Sequence, residues 1–147
     1  MVPLGGGNPL LLGPRGPIKV PATSGALTIQ YGTLTAGGAD DTNGEIAVDS
    51  ASDLTIASPI LNNGTGIVSL SKVGVGKLIL AEANDLTGGI TLNAGELDIN
   101  NPLAMGLNGT FTVNGGAIDN TSGAEISIGD TIPQAWNADI NLPGTDT

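Results

Sequence analysis

From residue 25 onward the chain alternates apolar and polar residues in short bursts, and small polar corners separate the bursts. Ile90–Ile99 (ITLNAGELDI) set above Phe111–Asn120 (FTVNGGAIDN) matches Thr, Asn, Gly and Asp at a shift of 21, and the apolar positions stay apolar. Leu27–Ala36 (LTIQYGTLTA) matches the first of these at a shift of 63, and Ile46–Ile56 and Val68–Leu80 read as looser copies. With Ile29, Val48, Leu70, Leu92 and Val113 as equivalent positions, successive steps are 19, 22, 22 and 21 residues. Period-two alternation is the signature of half-buried strands, and a Gly-containing corner re-aims the chain between two of them. Ile90, Leu92, Leu97 and Ile99 therefore point inward, while Thr91, Glu96 and Asp98 face water. No helical periodicity competes over a comparable stretch.

A unit of about 21 residues cannot bury its own apolar face and must stack on its neighbours. The pattern predicts an all-β chain wound as a right-handed parallel β-helix, a β-solenoid of five to six coils of 19–22 residues over residues 25–147, right-handedness being the default for parallel crossovers. Identical positions then fall on one another as ladders, with Leu92 on Val113, Leu97 on Ile118 and Asn93 on Asn114. Residues 1–24 carry five of the nine prolines and read as a separate extended leader, either a tail or a cap. Val2, Leu4, Leu10–Leu12, Ile18 and Val20 make it more apolar than a linker.

Composition narrows the function. Fourteen acidic residues against four basic ones give a formal charge of −10, which leaves nothing to neutralise phosphates and argues against nucleic acids and anionic membranes. No apolar run reaches the length of a membrane span. With no His and no Cys, the commonest general base, the thiol nucleophile and most transition-metal ligands are missing. The first residues lack a positive n-region and a signal-length apolar run, so an exported protein of this sequence has lost its signal or uses another route. The closing phrase Asp139–Thr147 carries no cap and leaves a strand edge open. Either further repeats follow it or copies stack through their ends.

Residues 67–121 resemble the autotransporter-associated β-strand repeat, also called the passenger-associated transport repeat, of bacterial surface proteins. The resemblance is carried by Lys72-x-Gly74-x-Gly76-Lys77-Leu78-x-Leu80, Asn84-x-Leu86-Thr87-Gly88-Gly89, Thr91-x-Asn93-Ala94-Gly95-x-Leu97 and the phrase from Leu107 to Gly116. Leu86 departs from it where the family more often has an aromatic, a difference expected at a surface or corner contact. The resemblance implies a β-helical stalk displayed outside the cell or associated with the outer membrane.

Several side chains invite a chemical reading. Asn93 and Asn114, with Gln30 and Asp49 at the same corner of earlier coils, suit an inward amide ladder. Thr33, Asp53, Lys77, Glu96 and Ala117 line up as an outward column in which Lys77 separates carboxylates. Asp40, Asp41, Asn43 and Glu45 cluster oxygens of the kind calcium prefers, although a solvated turn explains them more simply. Asp98 and Asp119 stack, yet the repeat alone accounts for that, and no catalytic residue or cofactor is assigned. The N-x-[ST] triplets at Asn63, Asn108 and Asn120 are expected by chance in so Asn- and Thr-rich a chain. Tyr31 and Trp136 are the only aromatics suited to a sugar platform, with Phe111 the third aromatic overall. The expectation is a non-enzymatic structural module, a stalk, coat or fibre segment of a secreted or cell-surface protein. An adhesin that takes a surface glycan or host protein is the alternative, ahead of a polysaccharide-active enzyme.

Overall fold

Alternation predicts strands, and it is how those strands pair that defines the architecture. The computed structural model describes residues 2–3, 9–128 and 131–144, and among them it is all β with no helix. One six-stranded sheet runs β1 (Val2–Pro3), β4 (Leu27–Gln30), β7 (Leu54–Ala57), β9 (Lys77–Leu80), β11 (Glu96–Ile99) and β13 (Ala117–Asp119). A second runs β3 (Arg15–Val20), β6 (Gly44–Ser50), β8 (Val68–Val73), β10 (Ile90–Leu92), β12 (Phe111–Val113) and β14 (Gln134–Trp136). A short third side starts with β2 (Leu10–Leu12) paired to β5 (Leu34–Ala36) and continues through the bridges Leu34 to Ile60 and Leu61 to Asp85. Every strand pair is parallel and joins one coil to the next, so the molecule is a three-sided parallel β-solenoid.

Apolar columns fill the interior. In the first sheet Leu27, Leu54, Leu78, Leu97 and Ile118 fall in register, joined by Ile29, Ile56, Leu80 and Ile99 two residues on. In the second, Ile46, Leu70, Ile90 and Phe111 form one buried column. Leu34, Ile60, Leu86, Ala104 and Met105 close the third side, all of them buried. Leu86 is thus core, not a surface or corner contact, because the third side points its apolar residues to the same axis. Among the described residues these side chains form a single core. Burying a Leu or Ile contributes roughly 1.5–3 kcal/mol, so a continuous column along the axis is the main driving force for stacking.

The register corrects two equivalences. Ile29 lies in the first sheet opposite Ile56, not in the sheet that holds Val48 and Leu92, and Gln30 with it faces Ala57. Different corners of the three-sided coil share the run apolar, polar, apolar and then a small residue, so the pattern of Leu27–Ala36 fits more than one corner. Leu70 is displaced by two residues. The column through Val48, Leu92 and Val113 passes through Lys72, and its members Ile18, Val48, Lys72, Leu92, Val113 and Trp136 are 30, 24, 20, 21 and 23 residues apart. Thr33 likewise leaves the Lys77 column, since Leu27 rather than Leu34 precedes Leu54 in the stack.

Residues of the N-terminal segment provide the outermost strand of all three sides, as β1, β2 and β3. Pro17 is tolerated within β3 for a geometric reason. The carbonyls of Pro14 and Val20 accept from Glu45 and Ala51, so even-numbered residues face β6 and Pro17 faces away from it. Its missing N–H costs the ladder nothing there.

Candidate functional site

Lys77, Glu96, Asp98 and Asp119 form the densest group of charges. The strand register places Glu96 beside Lys77 and Asp98 beside Asp119, on the outward face of the first sheet. Lys77 Nζ lies 2.6 Å from Glu96 Oε1 and 3.3 Å from Asp98 Oδ2. Thr121 Oγ1 donates to the same Asp98 oxygen at 2.9 Å, while Asn100 and Thr121 bond each other across coils. The loop after β13 thereby covers Asp98, whose side chain has no exposed surface, and its Oδ1 is buried without a hydrogen-bond partner. Burial raises the Asp98 carboxyl above its ordinary value, with the adjoining Glu96 carboxyl acting the same way. The Thr121 hydroxyl and the Lys77 ammonium oppose that rise. Lys77 is held above its ordinary value chiefly by Glu96.

Among the described residues, Glu96, Asp98 and Asp119 are the one set of three carboxylates whose oxygens approach within 4.8 Å of one another. The Lys77 ammonium is already seated against two of them, so the local cation is supplied by the chain. Asp98 and Asp119 are both buried, and Asp119 borders an apolar cavity of about 220 Å³ lined mainly by Ile99, Ile118, Ile126 and Ile128.

The second lysine of this coil behaves differently. Lys72 occupies a core column between Val48 and Leu92 and is completely buried. Its Nζ donates to the carbonyls of Val73 at 2.8 Å, Gly74 at 2.9 Å and Ala94 at 3.4 Å, tying the corner of its own coil to that of the next. Burial lowers its pKa to about 8, with Asp49 acting weakly in the opposite sense. Gly95, at φ +78°, completes this arrangement: a Cβ there would lie 2.4 Å from the Gly74 carbonyl oxygen and 2.7 Å from Lys72 Nζ. Reading the alternation alone puts a charged residue outside and so misses Lys72. Aligning the corner glycines misses it too: three residues before Gly76, Gly95 and Gly116 stand Val73, Leu92 and Val113, because the corner of the Lys72 coil is one residue longer.

The four calcium candidates do not converge. Asp41 Oδ1 accepts the Thr65 amide at 2.7 Å, Asn43 Oδ1 accepts the Ile67 amide at 2.8 Å, and Glu45 binds Arg15 and Ser71. Those partners lower the Glu45 pKa, Ser71 first and then Arg15. Asp40 stays exposed beside a cavity of about 360 Å³ shared with Asp41, Asn62 and Asn63. Three of the four are thus spent on neighbouring coils.

Asn93 and Asn114 do form a ladder, and Asn137 extends it: Asn114 Nδ2 donates to Asn93 Oδ1 and Asn137 Nδ2 to Asn114 Oδ1, both at 2.9 Å. The ladder lies on the outside, not inside, because Leu92 and Val113 take the inward positions before it. Asp49 precedes it in register through Val73; Gln30 belongs to the other sheet.

The buried amides lie on the third side instead. Asn84 accepts the Ile60 amide at 2.8 Å and donates to the Ala104 carbonyl at 2.6 Å, spanning three coils. Asn63 donates to the carbonyls of Ala39 and Thr42, so this N-x-T asparagine is spent internally. Trp136 terminates the Lys72 column and meets Phe111 edge to face at 6.2 Å between ring centroids. Its indole N–H donates to Gln134.

Comparison with known proteins gave no match: no family model fits the chain, and no curated protein or solved structure aligns with it significantly.

Proposed function

We propose that the chain is a non-enzymatic structural module, a rigid spacer or coat segment of a secreted or cell-surface protein. The observation that carries this reading is where its polar chemistry goes. Asp41, Asn43, Glu45, Asn62, Asn63, Asn84, Asn93 and Asn114 all bond to an adjacent coil. Polar groups used this way hold register between coils and leave few free for a ligand. Parallel ladders over an unbroken apolar core resist bending and proteolysis, which is the mechanical work of a stalk.

The resemblance of residues 67–121 to passenger repeats supports display outside the cell. The adhesin reading keeps its two aromatic candidates, since Tyr31 and Trp136 both stay exposed, but no further observation favours it. Immunolabelling of intact and lysed source cells, together with protease challenge of the purified chain, tests the proposal. Labelling of intact cells and slow digestion are expected. Labelling only after lysis would overturn surface display, and rapid cleavage within the coils would overturn the spacer role.

A further inference from the structure

On the third side of the solenoid, polar groups converge that the fold does not consume. Residues 37–43, between β5 and β6, fold over the outer face of that side. Asn63 Nδ2 pins them there by donating to the carbonyls of Ala39 at 2.6 Å and Thr42 at 3.0 Å. Thr35, Asp40, Asp41, Leu61, Asn62 and Asn63 line the cavity of about 360 Å³ that results. Thr35 decides how this cavity is read. Leu34 and Ala36 on either side of it point into the core and are fully buried, so strand alternation turns Thr35 outward, beneath the loop. It is nonetheless only 2 % exposed, and its hydroxyl oxygen is buried with no hydrogen-bond partner. A buried hydroxyl without a partner is costly, and this one borders a space large enough to hold one.

The other free groups on the cavity are oxygens as well. Asp41 gives Oδ1 to the Thr65 amide and keeps its second oxygen, while Asn63 spends its amide nitrogen and keeps Oδ1. Asp40 is exposed, and its carboxylate accepts no hydrogen bond among the described residues. Two glycines make room for these side chains. A Cβ at Gly64 would collide with Asp41 Oδ1, and one at Gly37 would collide with Asn63 Nδ2. Asn43 and Glu45 take no part, since their oxygens are bound to Ile67, Arg15 and Ser71.

Charge and donor type select the occupant. Two carboxylates, a hydroxyl and an amide oxygen are left free, and no basic residue lines the cavity. The Glu96, Asp98 and Asp119 group differs in this respect, because Lys77 is seated against it. An all-oxygen set with two negative charges suits a hard divalent cation, and a chain without His or Cys offers nothing to a softer metal. The ligands come from a loop and from two successive coils, an irregular shell that calcium accepts and that magnesium, with its near-octahedral demand, does not. We propose that this cavity binds one calcium ion through Asp40, Asp41 and Thr35, with the Asn63 oxygen and water completing the shell, and that the ion fastens residues 37–43 to the coil beneath them.

The inference goes beyond the spacer reading and does not depend on it. Calorimetric titration of the purified, chelator-treated chain with calcium chloride is the test, run at physiological salt so that diffuse attraction to an acidic surface is screened. One calcium per chain is expected, with a dissociation constant on the order of 0.1–1 mM, the range of weak extracellular modules. The melting temperature is expected to rise with calcium. Asp40→Asn removes a charge without removing a contact of the fold and is expected to weaken binding about tenfold. Thr35→Val keeps the shape and loses the hydroxyl. It is expected to weaken calcium binding severalfold while leaving the calcium-free chain at least as stable as wild type, because no hydrogen bond is lost. Glu96→Gln, in the other carboxylate group, is expected to bind calcium as wild type does. No uptake by wild type up to about 10 mM calcium, well above the expected range, would overturn the proposal. So would uptake indifferent to both Asp40→Asn and Thr35→Val, uptake lost in Glu96→Gln but kept in Asp40→Asn, or magnesium bound as tightly as calcium.

Discussion

Lys72 and Lys77 lie five residues apart on one coil, on either side of one corner, and the fold treats them as opposites. Lys72 is sealed in a core column with backbone carbonyls as its partners, and its pKa drops to about 8. Lys77 lies on the outer face between carboxylates, and its pKa rises. Desolvation disfavours the charged form of the first, and opposite charge favours that of the second. The same residue type thus clips backbone together at one place and neutralises acids at the other.

Truncating the buried lysine separates the two most sharply. Lys72→Ala leaves a cavity and three carbonyls without their donor, and a loss of about 3–5 kcal/mol is expected in urea unfolding. Lys72→Met fills the same space but also leaves the carbonyls without a donor, so it is expected to recover only the cavity part of that loss and to stay about 1–3 kcal/mol below wild type. If the alanine variant were as stable as wild type, the carbonyl clip would have no energetic role.

The pH dependence of the two lysines runs in opposite directions. Because the folded pKa of Lys72 lies below that of the unfolded chain, stability rises with pH from about 8 to 10.5 and is lost as pH falls through 8. Lys77, with its pKa raised, contributes stability that is present below 10.5 and disappears only above it. Melting temperatures of wild type and Lys72→Met across this window are expected to differ in slope, with the rise absent in the variant. Equal slopes would mean that Lys72 is not the titrating group.

Lys77→Ala is expected to cost less, about 1–2 kcal/mol at neutral pH, since it leaves buried Asp98 beside Glu96 without a cation. The raised pKa of Asp98 means that its contribution is fully present below 3.8 and is lost as pH rises through the folded value. Mild acid should therefore narrow the gap between Lys77→Ala and wild type. A gap that widens would place the Lys77 effect elsewhere. The smallest effect is expected on the exposed ladder, where Asn114→Ala should cost about 0.5–1 kcal/mol by thermal melting. A cost matching that of Lys72→Ala would mean that the exterior amides, not the buried clip, hold the corners in register.

The contrast also explains what could be read beforehand. The register of the fourth and fifth coils was legible, with Leu92 on Val113, Leu97 on Ile118 and Asn93 on Asn114, but not which face their polar groups take: the amide ladder lies outside and Asp98 is buried. The third coil was misaligned because a charged residue at an inward position looks like an outward one, and only carbonyls brought in from two corners make Lys72 tolerable there. The first copy was misplaced because one corner of a three-sided coil resembles another. The Asp40–Glu45 oxygens looked like a ligand set because their partners, Thr65, Ile67 and Ser71, lie more than twenty residues away. Asn84 and Asn62 gave no local sign of spanning coils.

What the amino-acid sequence settled alone was the class of object: alternation of period two, recurring at about 21 residues with Gly at the corners, has no stable outcome except stacked coils. What needed the tertiary structure was which side of the sheet each polar group takes and which coil answers it. Alternation is a property of neighbours in the chain, whereas the partners of Lys72, Lys77, Asp98 and Asn84 come from coils above and below. Pairing between coils is decided by register, and register is set jointly by every column of the core.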